Sequence, residues 1–286
     1  MNKKILVTGA KGFIGSAFTQ ELERRGVQWV PFDGDVCRQE DFSPYEDCSS
    51  VMHLAGKVRV DNTPENMLCQ MDTNIMGAYN SARFAAERGC AFYYASSCSY
   101  DPRQPLPSTE AISLVHSSPY SFTKYCAEVL IEGWVRYFDL RGVIFRIFNV
   151  YGPGQSRGFV VPDLLSQVEA GRVSVYNLED ERDFVFVDDV ANLMATAVMV
   201  DHESTATINV GSGLKYSISE VLEAIFKLTG TSLPVEDRGI RSAVPQSQAD
   251  ISRALGLFDW TPKVALPEGL ARTISEKAII VPSGEV

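Results

Sequence analysis

Short apolar, β-branched runs alternate with helical patterns through the first half of the chain. Strands are predicted at residues 4–8, 27–32, 51–54, 91–95 and 143–148, and helices at 14–25, 74–88 and 119–138. A run such as Ile5-Leu6-Val7 is too apolar to leave one face in water, which is typical of parallel strands covered by helices on both faces. The pattern therefore predicts an α/β fold with a doubly wound parallel sheet.

The alternation changes after residue 149. A Tyr-Gly-Pro-Gly turn at 151–154 leads into helical patterns at 162–170 and 219–228 and short strand patterns at 173–176 and 184–187. These elements predict a smaller C-terminal lobe. We expect residues 1–150 to form the sheet domain, with returns near 188–212, and residues 151–286 to form mainly the lobe, so the two are interleaved in sequence.

Composition narrows the class of protein. The chain has 286 residues, 45% of them hydrophobic and 22% charged, as in ordinary soluble domains. Its net charge of -10 argues against nucleic acid and anionic membranes as partners. The six cysteines form no CxxC pair, the three histidines suggest no metal site, and no run of about 18 apolar residues occurs. We therefore expect a cytoplasmic protein without a membrane span or a metal.

A glycine-rich turn follows the first predicted strand and opens the first helix. Gly9 allows the tight turn, Gly12 lets the backbone approach a pyrophosphate, and Gly15 allows close helix packing. Asp33 ends the second strand, where a carboxylate binds the adenosine ribose and favours NAD; Lys11 leaves NADP as the alternative. This context predicts a dinucleotide-binding Rossmann domain. The predicted cofactor contacts are Gly9, Lys11, Gly12, Phe13, Ile14, Gly15, Asp33, Asp35, Val36, Leu54, Ala55, Gly56, Tyr120 and Lys124.

A tyrosine and a lysine four residues apart begin the predicted helix at 119–138. Tyr120 and Lys124 share one helix face. An ammonium beside a phenol favours the phenolate, so we expect Lys124 to lower the pKa of Tyr120. Tyr120 would then exchange a proton with a substrate alcohol while hydride moves to or from the nicotinamide.

Several motifs together carry a family resemblance. They are the turn from Gly9 to Gly15, His-Leu-Ala-Gly at 53–56, Asn-Ile-Met-Gly at 74–77, the serines at 96 and 97, Tyr120 with Lys124, Arg-Ile-Phe-Asn-Val-Tyr-Gly-Pro at 146–153, Arg-Asp-Phe-Val-Phe-Val-Asp-Asp at 182–189 and Ala-Asp-Ile at 249–251. In this order the chain resembles the extended short-chain dehydrogenases/reductases that modify nucleotide sugars. The resemblance implies a nucleotide-diphosphate sugar as substrate, a homodimer, and a lobe that binds the substrate.

The resemblance also implies a catalytic serine. In the family it lies four residues before a tyrosine, and counting back from Tyr100 gives Ser96. Counting along the strand selects Ser97 instead, so both remain open. Ser-Ser-Cys is similar to GDP-fucose synthases, in which the cysteine faces the sugar, and this implies a substrate contact for Cys98. Those enzymes carry a histidine where this chain has Phe159, so epimerisation at two centres is not expected.

The resemblance further implies which residues bind the substrate. Ser97, Cys98, Asn149 and Arg182 match its substrate contacts, and Arg241, or alternatively Arg238, approximates a second phosphate-binding arginine. The acidic residues of dehydratases and decarboxylases are missing beside the serines. We therefore expect an NAD(P)-dependent enzyme that epimerises C4 of the sugar, with 4-keto-6-deoxy-sugar reduction as the alternative and non-catalytic dinucleotide sensing as a third reading.

Overall fold

The structure is a computed structural model that describes residues 4–58, 63–115, 118–239 and 244–280, except the side chains of 66 and 277–280. The described strands are β1 (Ile5–Thr8), β2 (Trp29–Pro31), β3 (Ser50–His53), β4 (Ala91–Ser97), β5 (Gly142–Ile147), β6 (Asn149–Tyr151), β7 (Val173–Val175), β8 (Glu181–Arg182), β9 (Phe184–Phe186), β10 (Thr205–Val210), β11 (Tyr216–Ser217) and β12 (Val235–Asp237). The α-helices are α1 (Phe13–Arg24), α2 (Pro64–Gln70), α3 (Gly77–Glu87), α4 (Pro119–Phe138), α5 (Val160–Glu169), α6 (Val187–Met199), α7 (Ile218–Thr229), α8 (Ser252–Phe258) and α9 (Leu266–Ile280). A 3₁₀ helix spans Gln39–Tyr45, and a π-helix, Met71–Met76, joins α2 to α3.

The main sheet has six strands in the order β10-β5-β4-β3-β1-β2, and all of its neighbouring pairs are parallel. From β1 the chain goes to β2 at one edge and then to β3 on the other side of β1. Ligands of doubly wound sheets bind at such a reversal, outside the carboxyl ends of the strands. The predicted α/β fold with a doubly wound parallel sheet is confirmed.

Helices cover both faces of this sheet because its strands are apolar on both sides. On one face Phe18 of α1 and Leu193 of α6 pack against Ile5 and Phe145. On the other face Ala82 of α3 and Ile131 of α4 pack against Tyr94. Alternation along β4 therefore sends neighbouring side chains to different layers, which decides how its two serines are used.

A separate apolar cluster forms the lobe, where Leu164 of α5, Phe184 of β9, Val221 of α7 and Leu270 of α9 pack together. In the described residues α6 and β10 return to the main sheet, and Trp260 also packs in the cluster between the sheet and α6. The division at residue 150 stays a prediction. None of the helices described here has the length and apolar character needed to cross a lipid bilayer.

The start of α4 is set by local sequence. Pro119 occupies the first turn, and the Ser118 hydroxyl accepts from the Ser121 N–H at 3.1 Å, while the Ser121 hydroxyl accepts from the Ser118 N–H at 3.0 Å. This reciprocal cap begins the helix one residue before Tyr120. Tyr120 and Lys124 thus lie in its first two turns, beside the end of β4.

Candidate active site

A cleft of about 680 Å³ opens at the carboxyl ends of β1, β3, β4 and β5. Its lining residues are Gly9, Gly12, Phe13, Ile14, Gly15, Leu54, Gly56, Val58, Ala95, Ser96, Ser97, Cys98, Tyr120, Lys124, Ile147, Phe148, Asn149, Val150, Tyr151, Gln155, Ser156, Gly158, Phe159, Val160, Val161 and Phe184. Among these described residues Lys124 is the one charged side chain. The cleft therefore contains both the predicted glycine turn and the predicted catalytic residues Tyr120 and Lys124.

The glycine turn has the shape of a phosphate cradle. Gly9 has a φ of +68°, and a Cβ there would lie 2.6 Å from the Ala55 nitrogen. A Cβ on Gly15 would lie 2.1 Å from the Gly9 oxygen. Gly12 precedes α1 and supplies no side-chain cap, so the first N–H groups of the helix remain available to an anion. These residues fit the pyrophosphate of a dinucleotide.

The predicted contacts to the adenosine ribose lie outside the lining of the cleft. Asp33 and Asp35 follow β2 and are exposed, and hydrogen bonds from Cys37 hold the pKa of Asp35 below its usual range. Val36 is buried against Gly77, where it packs rather than presenting a polar group, and Lys11 is exposed. The carboxylates at this end of the sheet favour a free ribose over a phosphorylated one.

Tyr120 meets Ser97, and not Ser96, in the cleft. The Tyr120 phenol lies beside the Ser97 side chain. Burial raises the pKa of Tyr120, the nearby Cys98 raises it further, and the interaction with Ser97 lowers it. The expected lowering of the Tyr120 pKa by Lys124 is wrong, because desolvation dominates and the Lys124 ammonium donates to the Ala95 carbonyl instead.

Ser96 borders the cleft, but its side chain points toward α4. Its hydroxyl donates to the Glu128 carboxylate of α4. Glu128 in turn accepts from Arg146 at 2.7 Å and 3.1 Å. Because Ser96 is 4% exposed and bound in this network, its hydroxyl is not directed at Tyr120. These contacts favour the alternative, Ser97, over Ser96, and the choice between the two serines stays a prediction.

Lys124 is buried at the floor of the cleft. Its Nζ donates to the Ala95 carbonyl at 2.8 Å and lies 4.8 Å from the centre of the Tyr94 ring. Burial lowers the pKa of Lys124 to about 8, against the attraction of Glu128. A Cβ added to Gly56 would lie 3.4 Å from Nζ, so glycine at 56 leaves space beside the ammonium.

The π-helix braces this floor through Asn74. Its amide donates to the Thr123 hydroxyl at 2.9 Å and to the Lys57 carbonyl at 3.0 Å, and its oxygen accepts from the Lys57 N–H at 2.7 Å. Thr123 precedes Lys124 on α4. The π-turn thus connects the loop after β3 to α4, the helix that carries Tyr120 and Lys124. Such turns often occur at functional sites.

The predicted substrate contacts divide into two groups. Ser97, Cys98 and Asn149 line the cleft, and the Asn149 amide donates to the Asp183 carbonyl at 3.1 Å. Arg182 does not line it; its guanidinium pairs with Asp180 at 3.1 Å. Arg241 lies outside the described residues. The alternative, Arg238, is exposed and donates to the Ser174 hydroxyl at 3.0 Å.

Sequence reasoning missed much of the lobe side of the cleft. Gln155, Ser156 and Val161 line it from the turn before α5 and from α5 itself. Glu128 was also missed, although it lies four residues after Lys124 on the same helix face, which is a signal that could have found it. The described residues hold no cluster of three or more His, Cys, Asp or Glu side chains able to bind a metal ion.

Residues 5–211 match the sequence model of the NAD dependent epimerase/dehydratase family. The chain belongs to this family. Membership in this family accounts for the fold, the glycine cradle and the spacing of Tyr120 and Lys124. The match spans the whole main sheet and the first part of the lobe, so the resemblance to NAD-dependent sugar-modifying enzymes is confirmed.

Known members of the family that resemble the chain differ in activity. It is 27% identical over 94% of its length to a UDP-glucuronate 4-epimerase of Thermodesulfobacterium geofontis, 94% of which is covered. It is also 27% identical over 96% of its length to a GDP-6-deoxy-D-mannose reductase of Pseudomonas aeruginosa, covering 97% of that protein. The solved UDP-glucose 4-epimerase of Thermus thermophilus in complex with NAD superposes with a TM-score of 0.84, at 25% identity over 97% of this chain and 100% of that one.

Proposed function

We propose that the protein is an NAD-dependent 4-epimerase of a nucleotide-diphosphate sugar. The observation that carries the proposal is the contact of the Tyr120 phenol with Ser97 in a cleft that also contains the glycine cradle and Lys124. This set provides one proton-transfer group beside one hydroxyl donor. That is sufficient for oxidation of one carbinol and its return with inverted configuration.

The other ionisable groups of the cleft do not support a second proton transfer. Burial raises the pKa of the Cys98 thiol to about 12, so this thiol stays protonated at neutral pH. Phe159 caps α5 with an apolar ring at the lobe side. Among the described lining residues there is no carboxylate or imidazole. Dehydration and epimerisation at a second carbon each need such a group, so the cleft favours chemistry at a single carbon.

In the proposed mechanism Ser97 donates to the oxygen of the reacting carbon and holds it against Tyr120. Tyr120 accepts the hydroxyl proton during oxidation and returns it when the opposite face of the ketone is reduced. Lys124 supplies positive charge below the site. Bound NAD would supply the hydride-transfer chemistry and a positive charge that favours the phenolate form of Tyr120. The residues that would hold it are Gly9, Gly12 and Gly15 at the pyrophosphate and Asp33 at the ribose.

Two observations support a neutral sugar on the substrate. Lys124 is the one charged side chain that lines the described cleft, and its ammonium already donates to the Ala95 carbonyl. The lobe side contributes Phe148, Val160 and Val161. A sugar carboxylate would need a cation in this region. We therefore propose a neutral hexose rather than a uronic acid.

A reductase is the second candidate. The relative described as a GDP-6-deoxy-D-mannose reductase covers nearly all of the chain. The Ser-Ser-Cys segment favours the same alternative. Reduction uses the same Ser97, Tyr120 and Lys124, with the proton given by Tyr120 to the new alcohol.

The test separates these activities by product. Purified protein is incubated with UDP- and GDP-linked hexoses, with UDP-glucuronate and with 4-keto-6-deoxy sugars, with and without added NADH or NADPH. A 4-epimerase gives a product of unchanged mass and inverted C4 without consuming coenzyme. A gain of two hydrogens with stoichiometric loss of reduced coenzyme would establish the reductase. A Tyr120→Phe variant that still converts substrate at the parent rate would contradict both.

We also propose a homodimer formed through α4 and the segment of α2 with the π-helix. The apolar side chains Leu68, Met76 and Val129 are exposed on these adjacent elements. Exposed apolar patches of this kind are typical of subunit interfaces. Light scattering should give twice the 31.5 kDa chain mass, and Val129→Glu should reduce it to one chain. The cytoplasmic location stays a prediction.

A further inference from the structure

The ammonium of Lys124 rests on the face of an aromatic ring. Lys124 Nζ lies 4.8 Å from the centre of the Tyr94 ring, and the ring is fully buried in β4 two residues before Ser96. Nζ donates a hydrogen bond to the carbonyl of Ala95, the next residue of the strand. One strand therefore supports the ammonium both through its backbone and through a ring.

The other groups around Lys124 give it limited charge support. On α4 itself are Tyr120 and Glu128, and on β3 is His53, whose pKa burial and Lys124 lower to about 3, so its ring is neutral. The π-helix presents the Asn74 amide, which carries no charge. Within the described part of the chain Glu128 is the one carboxylate that acts on Lys124, and Arg146 and Ser96 already donate to its oxygens. Because burial disfavours the charged form of Lys124, any further favourable electrostatic contact helps to stabilise it.

The hydroxyl of Tyr94 gives no reason for a tyrosine at this position. Its oxygen is buried and has no hydrogen-bond partner among the residues that the structure describes. Burying an unpaired hydroxyl lowers stability, so the contribution of this side chain must come from its ring. The ring is held in place by stacking, because the His53 and Phe92 rings lie 5.9 Å and 6.5 Å from it at angles of 18° and 12°.

We propose that Tyr94 is a positioning residue whose ring face holds the Lys124 ammonium, in its charged form, beneath the active site. The electron-rich face of an aromatic ring attracts a cation, and more strongly when water is excluded from both. The inference goes beyond the proposed reaction, because it concerns the charge of Lys124 in the protein alone. It predicts that the ring, and not the hydroxyl, is required.

The test weakens the ring's electrostatic attraction without changing its shape. Position 94 is replaced by phenylalanine and then, by amber suppression, by 4-fluoro- and 3,4,5-trifluorophenylalanine, and the full chain is titrated without substrate. The 13Cε resonance of Lys124, assigned with Lys124→Arg, reports its protonation. We expect Tyr94→Phe to titrate as the parent does. Each added fluorine should lower the midpoint, and the trifluoro ring should lower it by about one pH unit, a tenfold loss of proton affinity.

A matched control uses Phe92, which belongs to the same ring stack but is not the ring beneath Nζ. Trifluorophenylalanine at 92 should leave the Lys124 midpoint unchanged. A Lys124 midpoint that is the same across the position-94 series, or that shifts equally with fluorination at 92, would overturn the proposal. Because the fluorinated rings keep the planar shape of phenylalanine and create no cavity, the result does not depend on a cavity variant that fails to fold.

Turnover gives a second, separate readout. Where substrate is converted, the alkaline limb of the pH–rate profile should move to lower pH in parallel with the Lys124 midpoint, while the KM for the sugar should stay constant. A series that shifts the Lys124 midpoint in a protein that turns over no nucleotide sugar would contradict the proposed function and leave the role of Tyr94 standing.

Discussion

Ser96 donates its hydroxyl to the Glu128 carboxylate across the layer between β4 and α4, while its neighbour Ser97 meets the Tyr120 phenol in the cleft. Alternation along the strand separates the two serines. One hydroxyl is part of a buried polar network, and the other is available to a substrate oxygen.

This separation predicts different outcomes for two alanine variants. Ser97→Ala should lower kcat about 10²- to 10³-fold, as the loss of one donor to a reacting oxygen does, with little change in stability. Ser96→Ala should keep kcat within about tenfold but lower the free energy of unfolding by about 1–3 kcal/mol, because Glu128 loses a buried donor. Steady-state kinetics and urea denaturation measure the two effects. Ser97→Thr keeps a hydroxyl and should restore part of the activity that Ser97→Ala loses. If Ser96→Ala is the inactive variant instead, the roles assigned to the two serines are reversed.

The glycine cradle predicts an effect on coenzyme binding. Gly15→Ala would place a Cβ 2.1 Å from the Gly9 oxygen, and this backbone atom cannot move without opening the turn. NAD affinity, measured by fluorescence quenching or calorimetry, should fall at least about tenfold, which corresponds to about 1.4 kcal/mol.

Gly133→Ala is the matched control for the cradle. Gly133 lies in α4, and a Cβ there would meet no atom within 4 Å outside its neighbours and the adjacent helix backbone. It should bind NAD as the parent does and gain about 0.5–1 kcal/mol of stability, because alanine favours the helix. Equal NAD affinity in both variants would show that the turn does not hold the pyrophosphate.

The sequence predicted elements best where local signals mark both ends. The helix predicted at 119–138 has the observed bounds, because Pro119 and the Ser118 cap define its start and Asp139, with a φ of 54°, ends it. The helix predicted at 74–88 is part of a longer helical segment that begins at Pro64 and includes a π-turn. Polar residues such as Gln70, Asp72 and Asn74 interrupt the apolar period there, so the pattern hid the connection.

The sequence predicted which residues form the candidate site, but not where their side chains point. Tyr120 and Lys124 could be paired from their spacing, yet spacing could not show that Nζ points to Ala95 and Tyr94. Choosing between Ser96 and Ser97 required the register of β4 against α4. Both failures have one cause, since side-chain direction at a strand end depends on tertiary packing that a single sequence does not contain.

The buried His53 predicts a particular loss of stability in acid. Its pKa is lowered from 6.5 to about 3 in the folded protein, whereas the unfolded chain titrates near 6.5. Between these values the unfolded state binds more protons, so stability falls as pH falls from 6.5 toward 3, by at most about 1.4 kcal/mol per pH unit.

The variant His53→Asn should remove this contribution, and urea midpoints at pH 7 and pH 5 should then lie closer together than in the parent. Tyr94→Phe keeps the histidine and serves as the control, with the parent's pH dependence. An acid slope of equal steepness in His53→Asn would show that other groups cause it.

Because Glu128 and Arg146 form a buried ion pair, we expect their substitutions to have strongly non-additive effects on the free energy of unfolding. Their side chains are 2% and 10% exposed, and the guanidinium also donates to the Glu110 carbonyl at 3.0 Å. Arg146→Met leaves the Glu128 carboxylate buried with only Ser96 as donor, and should lower the free energy of unfolding by about 3–5 kcal/mol. Replacing both, in Arg146→Met with Glu128→Leu, should cost clearly less than the sum of the single variants, because no charge then remains unpaired.

The exposed Arg83–Glu87 pair on α3 is the control, since Arg83→Met should leave the urea midpoint unchanged. Additive losses at 128 and 146 would show that the two side chains act independently, and that the polar layer behind β4 does not hold Ser96 as a unit.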